Sequence, residues 1–198
     1  LKLKRKAFLI VVSGPSGTGK TTLVDRLLER DRSLRESVSM TTRKPRIDEV
    51  DGAHYFFVDR EKFERIRDEE LVEWAEVHGE FYGTPRRFIE DQLAAGHDVV
   101  LNIDIQGGFS VKKAFPDAVM VFILPPSLEV LEARLRDRGA DEPDVIERRL
   151  QTAREEITAS EKYDYIIIND KLAAAVAELE AVVTAERRRC HRLQVVEP

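Results

Sequence analysis

Continuous apolar runs along this chain alternate with stretches in which apolar residues recur every three or four positions. Phe8-Leu-Ile-Val-Val12 is such a run, ended by glycine, and predicts a strand buried on both faces. Thr18 to Arg30 follows with leucine at 23, 27 and 28 and charges between, which is a helical period. Asp98–Ile105, Ala118–Leu124 and Tyr165–Ile168 repeat the first pattern as further buried strands. Helical segments come after each. One is short, following Gly107-Gly108 to about Phe115, and another is capped by Ser127 and runs to Asp137. A turn at Gly139–Pro143 then leads to an Arg- and Glu-rich helix ending near Ser160, and an alanine- and valine-striped helix spans Lys171–Arg188. Strands alternating with helices argue for an α/β fold with a parallel sheet covered on both faces.

Two stretches break this rhythm. Residues 37–96 predict short strands at Ser37–Met40 and Tyr55–Val58, then a helix capped by Asp59 and running through Glu70. Leu71–Val77 and Glu80–Tyr82 read as strands around the His78-Gly79 turn. Thr84-Pro85 then predicts the start of a helix that Gly96 stops. Residues 127–158, behind Pro125-Pro126, are almost all helical and unusually charged. The division expected is one domain over 1–198: a core of 1–36, 97–126 and 159–198, a mixed α/β insertion at 37–96, and a helical lid at 127–158.

A length of 198 residues suits one compact domain. The 42% hydrophobic and 35% charged fractions are those of an ordinary globular protein. A net charge of −5 supplies no positive field for nucleic acid or acidic lipid. Basic residues cluster at Lys2–Lys6, Arg43–Arg46, Arg86–Arg87 and Arg187–Arg189; the two terminal clusters read as solvated faces. One cysteine, Cys190, permits no intramolecular disulfide and argues against a cysteine metal site. The longest apolar run, Ala7–Val12, is too short to cross a bilayer, and a cytoplasmic location is expected.

Gly14-Pro15-Ser16-Gly17-Thr18-Gly19-Lys20-Thr21 matches G-x4-G-K-[ST], directly after a predicted strand and before a helix. Glycines let consecutive backbone N–H groups turn inward around phosphate oxygens. Lys20 would neutralise the β- and γ-phosphates, the Thr21 hydroxyl would ligate Mg²⁺ carried as MgATP, and the helix N-terminus, with Thr22, adds to the anion site. The motif defines a nucleotide phosphate loop without naming the acceptor. In the insertion, Arg43 and Arg46 flank Pro45 and suit a bidentate grip on a phosphate. Tyr55, Glu73-Trp74 and Tyr82-Gly83-Thr84 add phenols, a carboxylate and a hydroxyl. Together they suggest a second nucleotide pocket.

Ser37–Arg46, Gly52–Val58, Val72–Val77, Phe81–Thr84 and Leu101–Gly107 resemble the guanylate kinase family, and the similarity runs from about Phe8 to Arg188. The resemblance implies ATP and GMP as substrates, with dGMP as an alternative acceptor and no obligate protein partner. It assigns the GMP phosphate to Arg43, Arg46, Tyr55 and Tyr82, and guanine to Ser39, Glu73, Thr84 and Asp104. Arg134, Arg138 and Arg149 would close over the ATP phosphates, and Asn169 would lie near adenine. The chain departs from the family pattern at Asn102, where a carboxylate is usual, and at Ile47-Asp48 after Arg46. Two other readings share parts of this pattern. A non-catalytic peptide-binding module would not need Lys20 and Thr21, and a P-loop kinase for another acceptor would not need Ser39, Glu73 and Thr84.

Overall fold

The computed structural model describes residues 2–77, 79–137 and 143–197. Among these, five strands form a parallel sheet in the order β10-β9-β2-β8-β3. They are β2 (Leu9–Ser13), β3 (Leu34–Glu36), β8 (Asp98–Asn102), β9 (Val119–Leu124) and β10 (Tyr165–Ile168). β2 is central, with Val11 opposite Leu101 on one side and Met120 on the other. Alternate side chains of β2 serve two cores. Ile10 and Val12 pack with Leu23 and Leu27 of α1 (Lys20–Arg30) and Leu179 of α7 (Leu172–Glu186). Leu9 and Val11 pack with Ile89 of α3 (Arg86–Ala94) and Val111 of α4 (Ile105–Ala114). A strand covered on both faces has no polar side to offer, hence the unbroken apolar run.

A four-stranded sheet in the order β5-β4-β7-β6 lies within residues 39–85. Its strands are β4 (Ser39–Thr41), β5 (Tyr55–Phe57), β6 (Leu71–Val77) and β7 (Glu80–Pro85). Phe63 of α2 (Arg60–Ile66) stacks on Phe81 with ring centroids 5.3 Å apart, giving this sheet its own small core. Helices α5 (Leu128–Asp137) and α6 (Pro143–Thr158) bury Leu131, Leu135, Ile146 and Ala153 between them.

Several expectations are corrected. The strand from Asp98 stops at Asn102, because Asp104 caps α4 by accepting from Gly107 N at 2.8 Å, and Ile105 is already helical. Helix α2 ends at Ile66 rather than Glu70. Thr84 and Pro85 end a strand, and the expected helix opens directly after them at Arg86, with Pro85 at its N-cap and no capping hydroxyl, since that of Thr84 is spent on Glu73. β10 is an edge strand with Ile166 and Ile168 half exposed, not a buried one. Nor is it the last, for β11 (Leu193–Glu197) pairs antiparallel with β1 (Lys2–Arg5). The terminal basic clusters are not simply solvated. Arg5 and Arg187 both donate to Asp98, which is 1% exposed, and Arg187 also reaches Asp31 at 2.6 Å. An unpaired carboxylate that deep would be costly, so the two arginines tie both chain ends to the sheet. The turn expected at Gly139–Pro143 lies largely outside the described residues.

Candidate active site

The phosphate loop leaves the carboxyl end of the central strand and turns into α1, the place where ligands bind to open α/β sheets. Gly14 adopts a φ of 146°, and a Cβ there would run into the Ile123 carbonyl oxygen, so no other residue fits. Thr18 is buried, and its hydroxyl closes the loop on the Pro15 carbonyl at 3.0 Å. Lys20 Nζ donates to the Gly14 and Pro15 carbonyls at 2.7 and 3.0 Å, which keeps its charge over the loop. Ser16, Thr21 and Thr22 stand exposed at the rim, and Gly17 and Gly19 complete the turn.

Asn169 is buried under this loop. Its Nδ2 donates to the Thr18 carbonyl at 2.7 Å and lies 2.5 Å from where a Cβ on Gly19 would be. Arg134 of α5 donates through Nη2 to the Asn169 carbonyl at 2.9 Å, while its buried Nη1 makes no hydrogen bond. The structure thus brings Asn169 and Arg134 to the loop. Arg149 sits half buried on α6, and Arg138 lies outside the described residues. From the same helix comes Glu156, a residue that sequence reasoning passed over. Burial pushes its carboxyl up, the charge of Lys20 pulls it down and that of Asp104 raises it, so it lies within electrostatic reach of both.

Asn102, at the end of β8, donates from Nδ2 to Thr21 Oγ1 at 3.0 Å. That takes one of the hydroxyl's two lone pairs and leaves the other available to a hard cation. The pair therefore fits Mg²⁺ held chiefly by nucleotide phosphates and water, with no charge contributed by the amide.

Across the cleft, Glu73 of β6 points back toward α4. Its Oε1 accepts from the buried Thr84 hydroxyl, and its Oε2 lies 3.1 Å from where a Cβ on Gly107 would stand. Burial raises the Glu73 carboxyl, the Thr84 hydrogen bond lowers it, and the neighbouring Asp104 raises it further. Asp104 itself is exposed at the cap of α4. Tyr55 and Tyr82 meet edge to face with centroids 6.0 Å apart. Arg43 lies over Tyr55 at 5.4 Å, close enough to Tyr82 for the phenol to share in holding it. Ser39 pairs with Tyr55 across β4 and β5, and both line a cleft of about 400 Å³ shared with Thr21 and Asn102. Arg46 is exposed on the same loop as Arg43. Glu49, not singled out by the sequence, accepts from Arg43 and from Arg46 N. Asp48 precedes it with the same charge, and nothing local distinguishes the two.

A phosphate loop at the sheet's carboxyl edge, facing an arginine- and carboxylate-bearing pocket on a separate small sheet, defines an ATP-dependent P-loop phosphotransferase with a nucleoside monophosphate acceptor. The chain belongs to the guanylate kinase family, whose family model matches residues 6–186. A guanylate kinase of Carboxydothermus hydrogenoformans is 50% identical over 189 residues, covering 95% of this chain and 93% of that protein. One from Aromatoleum aromaticum is 55% identical over 182 residues, covering 91% and 89%. The crystal structure of guanylate kinase from Anaplasma phagocytophilum superposes with a TM-score of 0.75 at 36% identity, covering 96% of this chain and 92% of that one. A shikimate kinase structure from Bacteroides thetaiotaomicron, at 17% identity and a TM-score of 0.51 over 92% of this chain and 99% of that one, shares the fold alone.

Proposed function

We propose that this chain transfers the γ-phosphoryl group of ATP to GMP, giving ADP and GDP, and so serves purine nucleotide metabolism and GMP recycling. The observation that carries the acceptor is Glu73, a carboxylate half buried opposite the phosphate loop and set by Thr84 and Gly107. Guanine presents N1–H and its N2 amino group as adjacent donors to such a carboxylate, whereas adenine presents a lone pair there. Asp104, Ser39 and Thr84 complete the base pocket, and Arg43, Arg46, Tyr55 and Tyr82 hold the acceptor phosphate. dGMP is an alternative acceptor in this reading.

ATP lies along Gly14–Thr22, with Asn169 bracing the loop beneath it. Thr21 would hold Mg²⁺, which when bound would supply positive charge to the nucleotide phosphates. Lys20, Arg134, Arg138 and Arg149 add positive charge around the transferring group. An oxygen of the GMP phosphate attacks the γ-phosphorus in line. The bond to the β,γ-bridging oxygen breaks, and ADP leaves with that electron pair. No protein nucleophile takes part; the residues position, neutralise charge and exclude water, which would otherwise accept the phosphoryl. Functionally, residues 37–96 form the GMP-binding part and 127–158 the lid, on a core of 1–36, 97–126 and 159–198. No described helix is long and apolar enough to cross a membrane, and we place the activity in the cytoplasm without an obligate protein partner.

Steady-state assays with ATP and a panel of GMP, dGMP, AMP and sugar phosphates test this reading. GMP and dGMP should be turned over and AMP negligibly. Faster turnover of AMP or a sugar phosphate would overturn it, and binding of GMP without turnover would favour a non-catalytic module.

A further inference from the structure

A guanidinium offers five N–H donors in a rigid plane, arranged so that a single carboxylate can occupy only one side of it. Glu49 occupies the outer fork of Arg43, accepting from Nη1 at 2.9 Å and Nη2 at 2.7 Å. The second Nη1 hydrogen goes to the Lys44 carbonyl at 2.8 Å. The other edge of the group carries the lateral pair, Nε–H and the second Nη2–H, which lie parallel and match two oxygens of a phosphate, with the Tyr82 phenol also within reach of the guanidinium. The ring faces of Tyr55 and Phe57, at 5.4 and 5.9 Å from the guanidinium carbon, border the group. Glu49 does a second thing with the same carboxylate, for Oε2 also accepts from Arg46 N at 2.7 Å. One side chain therefore orients Arg43 and shapes the backbone that carries Arg46. The pair is well shielded, with 19% of the Arg43 side chain and 14% of that of Glu49 exposed.

We propose that Glu49 is a positioning residue for the acceptor phosphate, holding Arg43 by its outer fork so that the lateral fork is presented to GMP. This rests on the acceptor reading above. The opposite role would be a stand-in anion that the phosphate must displace. The geometry speaks against that role, since removing Glu49 from Arg43 would also release the Arg46 backbone and unmake the loop that both arginines share. Arg43 binds the carboxylate strongly enough to hold Glu49 at a pKa of about 2, so it stays ionised wherever the enzyme is assayed.

Glu49→Gln tests the proposal, because the amide keeps the shape but turns an N–H against the guanidinium. KM for GMP should rise about tenfold or more, as for loss of a charged hydrogen bond, while KM for ATP stays within about twofold. Glu49→Asp, which keeps the charge on a shorter stem, should show a smaller rise and covers the case in which the Gln variant does not fold. In an Arg43→Lys background, Glu49→Gln should add less than about threefold, since its effect runs through Arg43. A KM for GMP that is unchanged or lowered, or full additivity with Arg43→Lys, would overturn the proposal. Should the wild-type protein prefer another monophosphate, the acceptor reading falls, and the same KM split against that acceptor still decides the role of Glu49.

Discussion

Glu73 is held where a carboxylate is costly. Burial raises its pKa, and the hydroxyl that favours its charge comes from Thr84 on the neighbouring strand. Only the ionised form can accept from both guanine donors. Because the raised pKa lies above the ordinary 4.5, GMP binding should weaken as pH falls through that raised value, sooner than for a solvated glutamate. The kcat/KM profile for GMP would lose this acidic limb in Glu73→Ala. The substitution itself should lower kcat/KM for GMP by about 10²-fold, at ~3 kcal/mol for a charged hydrogen bond. AMP turnover should stay low, since removing a mismatch creates no adenine contact. A GMP efficiency within about threefold of wild type would remove Glu73 from the base pocket. Residue types in order were enough to nominate Glu73, Thr84 and the phosphate loop. Two partnerships, Glu49 with Arg43 and Asn102 with Thr21, were not legible, because they depend on loop paths rather than on spacing.

Helix α4 and strand β6 come together at Gly107. Its missing side chain lets the helix backbone close on the Glu73 carboxylate, with a Cβ position only 3.1 Å from Oε2. Alanine there would improve helix propensity by about 0.5–1 kcal/mol yet push the carboxylate by a few tenths of an ångström. Gly107→Ala should therefore keep or raise the melting temperature while raising KM for GMP severalfold and sparing KM for ATP. Equal rises in both KM values would mean that α4 acts on the whole cleft and not on Glu73. The same junction explains two misplaced boundaries. Asp104 and Thr84 both carry strong local signals, and each is decided by what it meets. The Asp104 carboxylate caps α4 and so ends the β8 strand early, whereas the Thr84 hydroxyl finds Glu73 and leaves α3 without a side-chain cap.

Across the whole molecule, the small sheet and the α5–α6 pair, which bear the arginines proposed to meet phosphate, are attached to the core by different means. The small sheet leans on α4 through Glu73 and Gly107, while α5 reaches the phosphate loop through Arg134 and Asn169. Arg134 Nη1 is buried without a hydrogen-bond partner, a cost that an arriving phosphate oxygen would relieve. GMP together with a non-hydrolysable ATP analogue should draw the two parts inward, because bound phosphates offset the repulsion among their arginines. Small-angle scattering would register this as a smaller radius of gyration with both ligands than with neither; an unchanged radius would count against closure.

Periodicity alone determined the parallel core, since a strand covered on both faces must be apolar throughout and its helices must be striped. Spacing alone nominated the phosphate loop, because its glycine turn and the Lys20 and Thr21 side chains all lie within one continuous motif. Tertiary structure decided the rest. Tyr165–Ile168 is as apolar as the inner strands, yet β10 has a neighbour on one side only, and Ile166 and Ile168 remain half exposed. Arg5 and Arg187, far apart in the chain, became an interior anchor because both met the buried Asp98. The charge pattern of a segment says that it carries a cation. Only the fold determines which anion stands opposite, and with it whether that cation is solvated, structural or left to hold a substrate.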